Sequence, residues 1–177
     1  MASYVTAKCN KCGRTSHYIF GFSEDLRLFD LFLSEYKKVQ KDLFKEEEFY
    51  KYFNDLFNKD IVEYQKLTDQ EKNDILKHNY QNILNFFWEE EIKMIKKNIL
   101  TGYELELYPV VILSKPKEER DILNVPLLKV KFLDGSEYNR RYNPQQSQYV
   151  QFSKDQKLLT CPYELKLTAE NINEEER

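Results

Sequence analysis

Glycine is scarce in this sequence, with 4 in 177 residues, at Gly13, Gly21, Gly102 and Gly135. Spread so widely, they form neither a phosphate-binding loop nor a dinucleotide fingerprint, both of which need glycines clustered at one strand-to-helix turn. Histidine is scarcer still. Of the 2, His78 has no second histidine or cysteine near it in sequence that would complete a triad. Long apolar runs are missing too: the longest, 110–113, falls far short of the roughly 20 residues that span a bilayer, so no membrane anchor is expected. Residues 1–10 lack an apolar core before a cleavage site, and no secretory signal is expected. The 3 cysteines are too few, and odd in number, for a framework of disulfides, which favours a reducing cytoplasmic setting. Alanine occurs only at Ala2, Ala7 and Ala169 while lysine far outnumbers arginine, a bias expected of an AT-rich coding sequence and pointing to a low-GC genome, its phages or mobile elements. With no complete catalytic motif, the expectation leans away from an enzyme.

What is present suits a folded chain. Hydrophobic residues make up 41%, aromatics 15% and charged residues 32%, with 13 tyrosines and 12 phenylalanines. A chain of this length buries roughly two thirds of its unfolded surface and needs no covalent scaffold. Ser23, Glu24 and Asp25 read as a helix start, and Phe29, Leu33, Tyr36, Val39 and Leu43 recur at helical spacing after it. A second stripe runs through Phe49, Phe53 and Leu56. Thr68 with Glu71 forms a capping box that opens a third, through Leu76, Tyr80, Ile83, Phe87 and Met94 to about Asn98. After Gly102 the period changes from 3.6 to 2, and strands are expected near 103–113, 127–133, 137–142, 149–152, 158–161 and 165–168. Asp134-Gly135 is a hairpin turn signal. Helices segregated from strands predict an α+β fold: one domain over 1–168, with a cysteine hairpin at 1–22, about three helices over 23–100, and an antiparallel sheet over 101–168 joined by the N-terminal strands. The acidic stretch 169–177 reads as a flexible tail.

Cys9-Asn10-Lys11-Cys12-Gly13 places two thiols on one tight turn, with a glycine where the backbone must bend to aim its amides at sulfur. This segment resembles the zinc knuckle of zinc ribbons and rubredoxin-like sites. The resemblance implies a distant second knuckle, and Cys161-Pro162-Tyr163-Glu164 resembles one whose last cysteine is replaced by a carboxylate. Zinc is thus the expected cofactor, held by Cys9, Cys12 and Cys161, with Glu164 or His17 as the fourth ligand in a structural role. The competing readings are ordinary or relict thiols and a redox dithiol; the chain offers no thioredoxin-like βαβ context for the last.

Charge is uneven along the chain. Residues 1–22 hold three bases and no acids, and 101–168 ten bases against nine acids; 23–100 carry thirteen bases against seventeen acids. Lys129 and Lys131 alternate on one strand, and Arg140 and Arg141 sit beside Tyr138 and Tyr142, a composition suited to phosphates and stacked bases. An open sheet face kept solvated by lysine explains the same residues. The first expectation is therefore a noncatalytic accessory or inhibitory protein that binds another protein through helical aromatics such as Tyr50, Tyr52, Phe53 and Phe57. Nucleic-acid binding through the sheet is the alternative, and a cysteine-dependent enzyme the third.

Overall fold

The computed structural model describes all residues, Met1–Arg177. The fold is α+β: an N-terminal strand hairpin, helices in the middle, and a C-terminal antiparallel sheet. In chain order the elements are β1 (Ala2–Cys9), β2 (Thr15–Gly21), α1 (Arg27–Val39), α2 (Glu46–Asp60), α3 (Val62–Gln65), α4 (Asp69–Phe86), α5 (Glu89–Lys97), β3 (Leu100–Ile112), β4 (Ile122–Phe132), β5 (Glu137–Asn139), β6 (Ser147–Tyr149), β7 (Leu158–Thr160) and β8 (Leu167–Glu176). No helix is long and apolar enough to cross a membrane.

The chain divides into two compact units. One comprises 1–26, 104–129 and 138–177, the other 27–103 and 130–137. The strands follow the order β5-β4-β3-β2-β1-β8-β7, with β6 also paired to β3. In the first unit β1 is central, running antiparallel to β2 from Ala2↔Gly21 to Lys8↔Thr15 and antiparallel to β8 from Ser3↔Glu176 to Cys9↔Ala169. The N-terminal segment therefore joins strands from the far end of the chain, as the pattern predicts. The acidic C-terminus, expected to be a flexible tail, is instead strand β8. Its carboxylates stand exposed while its backbone pairs with β1, and the Ala2 amide donates to the Arg177 carbonyl at 2.8 Å and the Arg177 amide to the Ala2 carbonyl at 2.9 Å. Charge alone suggested a solvated tail; a charged strand near a sheet edge has the same composition.

In the second unit the period-3.6 stripes become buried faces. Phe32, Leu33, Phe49, Phe53, Tyr80, Ile83, Phe87 and Ile95 form its core, and Tyr80 donates from its hydroxyl to the Phe44 carbonyl at 2.6 Å. The expected capping box is formed: the Glu71 amide donates to Thr68 Oγ1 at 3.2 Å, and the Thr68 amide to Glu71 Oε2 at 2.8 Å. Thr68→Ala is expected to cost about 1 kcal/mol, because one of the orphan amides of α4 loses its acceptor; urea unfolding checks this, and a cost near zero would mean that the first turn of α4 frays regardless. The third helix, expected to run to about Asn98, stops at Phe86, and α5 begins at Glu89 after two intervening residues. Glu91 causes the second start. Its carboxylate, only 1% exposed, reaches back to accept from the Trp88 amide at 2.9 Å, which caps the new helix without any Ser or Thr to mark it.

Candidate metal centre

The first unit positions its cysteines with two turns that share a backbone pattern. Cys9 ends β1, and the Gly13 amide returns to the Cys9 carbonyl at 3.0 Å. Gly13 has φ +75°, and the space beside it is open, so conformation rather than crowding calls for glycine there. Between β7 and β8, the Leu165 amide returns to the Cys161 carbonyl at 2.8 Å, and Leu165 has φ +57°. Leu165 thus stands where the first turn has its glycine, and Glu164 where the first turn has Cys12. The second turn is a knuckle in backbone geometry, as the Cys-Pro-x-Glu resemblance implies.

These turns bring the three thiols together. Cys9, Cys12 and Cys161 Sγ lie within 4.8 Å of one another, and Cys12 and Cys161 Sγ are 3.8 Å apart. A zinc ion bound to thiolates at about 2.3 Å in tetrahedral geometry separates its sulfurs by about 3.8 Å, so the donor set fits a thiophilic metal ion. Amides point at the sulfurs as a bound thiolate requires: Lys11 and Cys12 donate to Cys9 Sγ at 3.3 and 3.4 Å. Thr168 Oγ1, on β8, lies 3.1 Å from the same sulfur. Burial pushes the Cys9 thiol up, but the Cys12 amide, the Thr168 hydroxyl and the Lys11 amide outweigh it and bring the pKa down to about 7. Burial dominates at Cys161 and pushes it up to about 12, against the pull of the Glu164 and Tyr163 amides. The cluster is embedded in a small core of Val5, Ala7, Tyr18, Val150, Leu159 and Ala169. Tyr18 is fully buried and donates from its hydroxyl to the Thr160 carbonyl at 2.8 Å, which ties β2 to the strand leading into the second knuckle.

The two residues considered for a fourth ligand lie outside the three-thiol group. His17 is exposed on β2 with Nδ1 3.2 Å from Thr6 Oγ1. The Glu164 carboxylate adjoins the group but pairs with Lys11 Nζ at 3.6 Å and Lys117 Nζ at 3.7 Å. Comparison with protein-family models, curated proteins and solved structures returned no match. The centre is therefore read from its own geometry. Thr168 is the contributor that sequence reasoning missed, and its only signal is its place in β8 beside Ala169, the residue paired with Cys9.

The other residues singled out from sequence are dispersed. Arg140 is buried, 4% exposed, and lines a cavity of about 210 Å³ with Glu104, Glu106 and Lys129, so it does not share a solvent face with exposed Arg141. β5 ends at Asn139, before both arginines. Lys131 is exposed, Tyr138 is half-buried, and Tyr142 turns its hydroxyl to the Pro126 carbonyl at 2.8 Å. Among the helical aromatics, Phe53 and Phe57 belong to the core and cannot serve as anchors. Tyr52 donates to Glu35 Oε2 at 2.6 Å. Tyr50 alone of the four borders an open groove of about 410 Å³, shared with Asn54, Asn58, Asp69, Lys72 and Leu76.

Proposed function

We propose that this chain is a noncatalytic accessory or inhibitory protein that binds another protein, with a structural zinc ion at Cys9, Cys12 and Cys161. The observation that carries the reading is the convergence of all three thiols from two distant turns. Two of the three are buried, and strands β1 and β8 are both attached to the centre. A closed site of this kind, wrapped in apolar side chains, acts as a staple, and its free energy is folding free energy. Glu164 supports closure of the site as fourth donor, because it occupies the Cys12-equivalent place and a carboxylate oxygen is an ordinary zinc ligand. On zinc binding, Lys11 and Lys117 would then balance the two net negative charges of a zinc bound by three thiolates and one carboxylate.

The groove at Tyr50, Asn54 and Lys72 supports the partner-binding half of the reading, since it combines an aromatic edge with amide and ammonium donors. Affinity capture with the full chain as bait, compared with Tyr50→Ala and Lys72→Glu baits of unchanged melting temperature, tests it. A protein retained by the parent and lost from both variants is expected; identical captures would contradict the reading. Nucleic-acid binding remains the alternative. Its test is retention at low salt that falls with Arg141→Ala, and no retention would remove it.

A further inference from the structure

Cys12 differs from the other two thiols of the centre in being only half-buried. It forms part of the wall of a cavity of about 270 Å³, together with Arg14, Lys117, Tyr163 and Glu164. A small polar oxidant entering this cavity meets Cys12, while Cys9 and Cys161 lie behind it. Cys161 Sγ, contributed by a residue 149 positions away in the chain, lies 3.8 Å from Cys12 Sγ. Cys9 Sγ is engaged differently, by the Lys11 and Cys12 amides and the Thr168 hydroxyl, which hold it in place.

We propose that Cys12 is an oxidation site for peroxides with Cys161 as its resolving thiol, so that the centre converts between a metal-held and a disulfide-held state. The chemistry has two steps. Cys12 sulfur attacks one oxygen of hydrogen peroxide, the O–O bond breaks, and Cys12 sulfenic acid and water are formed. Cys161 sulfur then attacks the Cys12 sulfur and the S–S bond closes; the hydroxyl leaves as a second water, its proton coming from the Cys161 thiol in the metal-free centre and from solvent where zinc has held the cysteines as thiolates. Two thiols are oxidised by two electrons, and one peroxide is reduced to two waters. The two sulfurs need only a short approach, from 3.8 Å to the bonded distance of about 2.05 Å. Cys9 is then the one thiol left, and a single thiolate does not retain the metal ion.

The metal-release part of this proposal rests on the structural-zinc reading; the crosslink does not. The test treats zinc-loaded and metal-free full-length protein in parallel with stoichiometric hydrogen peroxide, followed by non-reducing peptide mapping and a colorimetric zinc assay. The expected result is a peptide pair joining Cys12 to Cys161, zinc released in step with it, and reversal by dithiothreitol. Cys9→Ser protein is expected to form the same crosslink. The oxidised metal-free chain is expected to melt above the reduced metal-free chain, because the bond holds the two turns together in place of the ion. A Cys9–Cys12 crosslink, or Cys12 driven to sulfinic acid with no crosslink, would overturn the proposal. Should the protein take up no zinc at all, the structural-zinc reading fails, and the crosslink in the metal-free arm alone decides this proposal.

Discussion

Cys161→Ser is expected to abolish tight metal binding and to lower the melting temperature by roughly 10 °C in the presence of zinc. Cys161 is the only thiol supplied by the second knuckle, so its loss leaves two thiols, Cys9 and Cys12, on a single turn, with no thiol to tie the ion to the segment between β7 and β8. Changes merely in the residues that orient zinc ligands cost 10- to 100-fold in affinity, and removal of a ligand costs more. With zinc at about 1,000 times its dissociation constant, binding contributes about 4 kcal/mol to the folded state. At about 2–4 °C per kcal/mol for a chain of 150–250 residues, that contribution gives the stated shift. A serine hydroxyl in this buried apolar place carries a cost of its own, so the ion's share is the difference between the shifts measured with and without zinc. Unchanged zinc affinity in this variant would mean that Cys161 is packing only.

Phe32→Ala is expected to cost about 3–5 kcal/mol, the range for removing a fully buried aromatic side chain. Phe32 is 0% exposed on α1, and its ring centroid lies within 6.2 Å of those of Tyr36, Phe44, Phe49, Phe53 and Phe87. These neighbours come from α1, α2 and the segments after α1 and α4, so no single side chain can move to refill the space. Urea unfolding measures the cost. A value below about 1.5 kcal/mol would show that the aromatic cluster collapses around the hole, in contradiction of the close packing described.

Much of this arrangement is legible in the residues themselves. Stripes at Phe49, Phe53 and Tyr80, Ile83, Phe87 mark buried helix faces because only one face of a 3.6-residue helix can be apolar at that spacing. Thr68 and Glu71 announce their helix because both capping partners are named in the sequence. The start of α5 is silent, since its cap is a glutamate reaching back to a backbone amide beside a tryptophan. Arg140 and Arg141 look alike in sequence, yet one is buried and the other exposed, a distinction that depends on where β5 ends. At the three-thiol centre the first knuckle was readable from its local turn, while the partner role of Cys161 came from the resemblance to a second knuckle. The positions of Glu164, held by two lysines, and of Thr168, set by the register of β8, arise only from tertiary pairing.

We propose that a metal ion at the three thiols holds the strand-rich unit together. The most direct test is the zinc content of protein purified without chelator, combined with the melting temperature before and after a strong chelator. One zinc per chain is expected, lost on chelation together with roughly 10 °C of stability, with both restored by adding zinc back. Protein that contains no metal, takes up none when reduced, and melts at the same temperature with and without chelator would contradict the proposal.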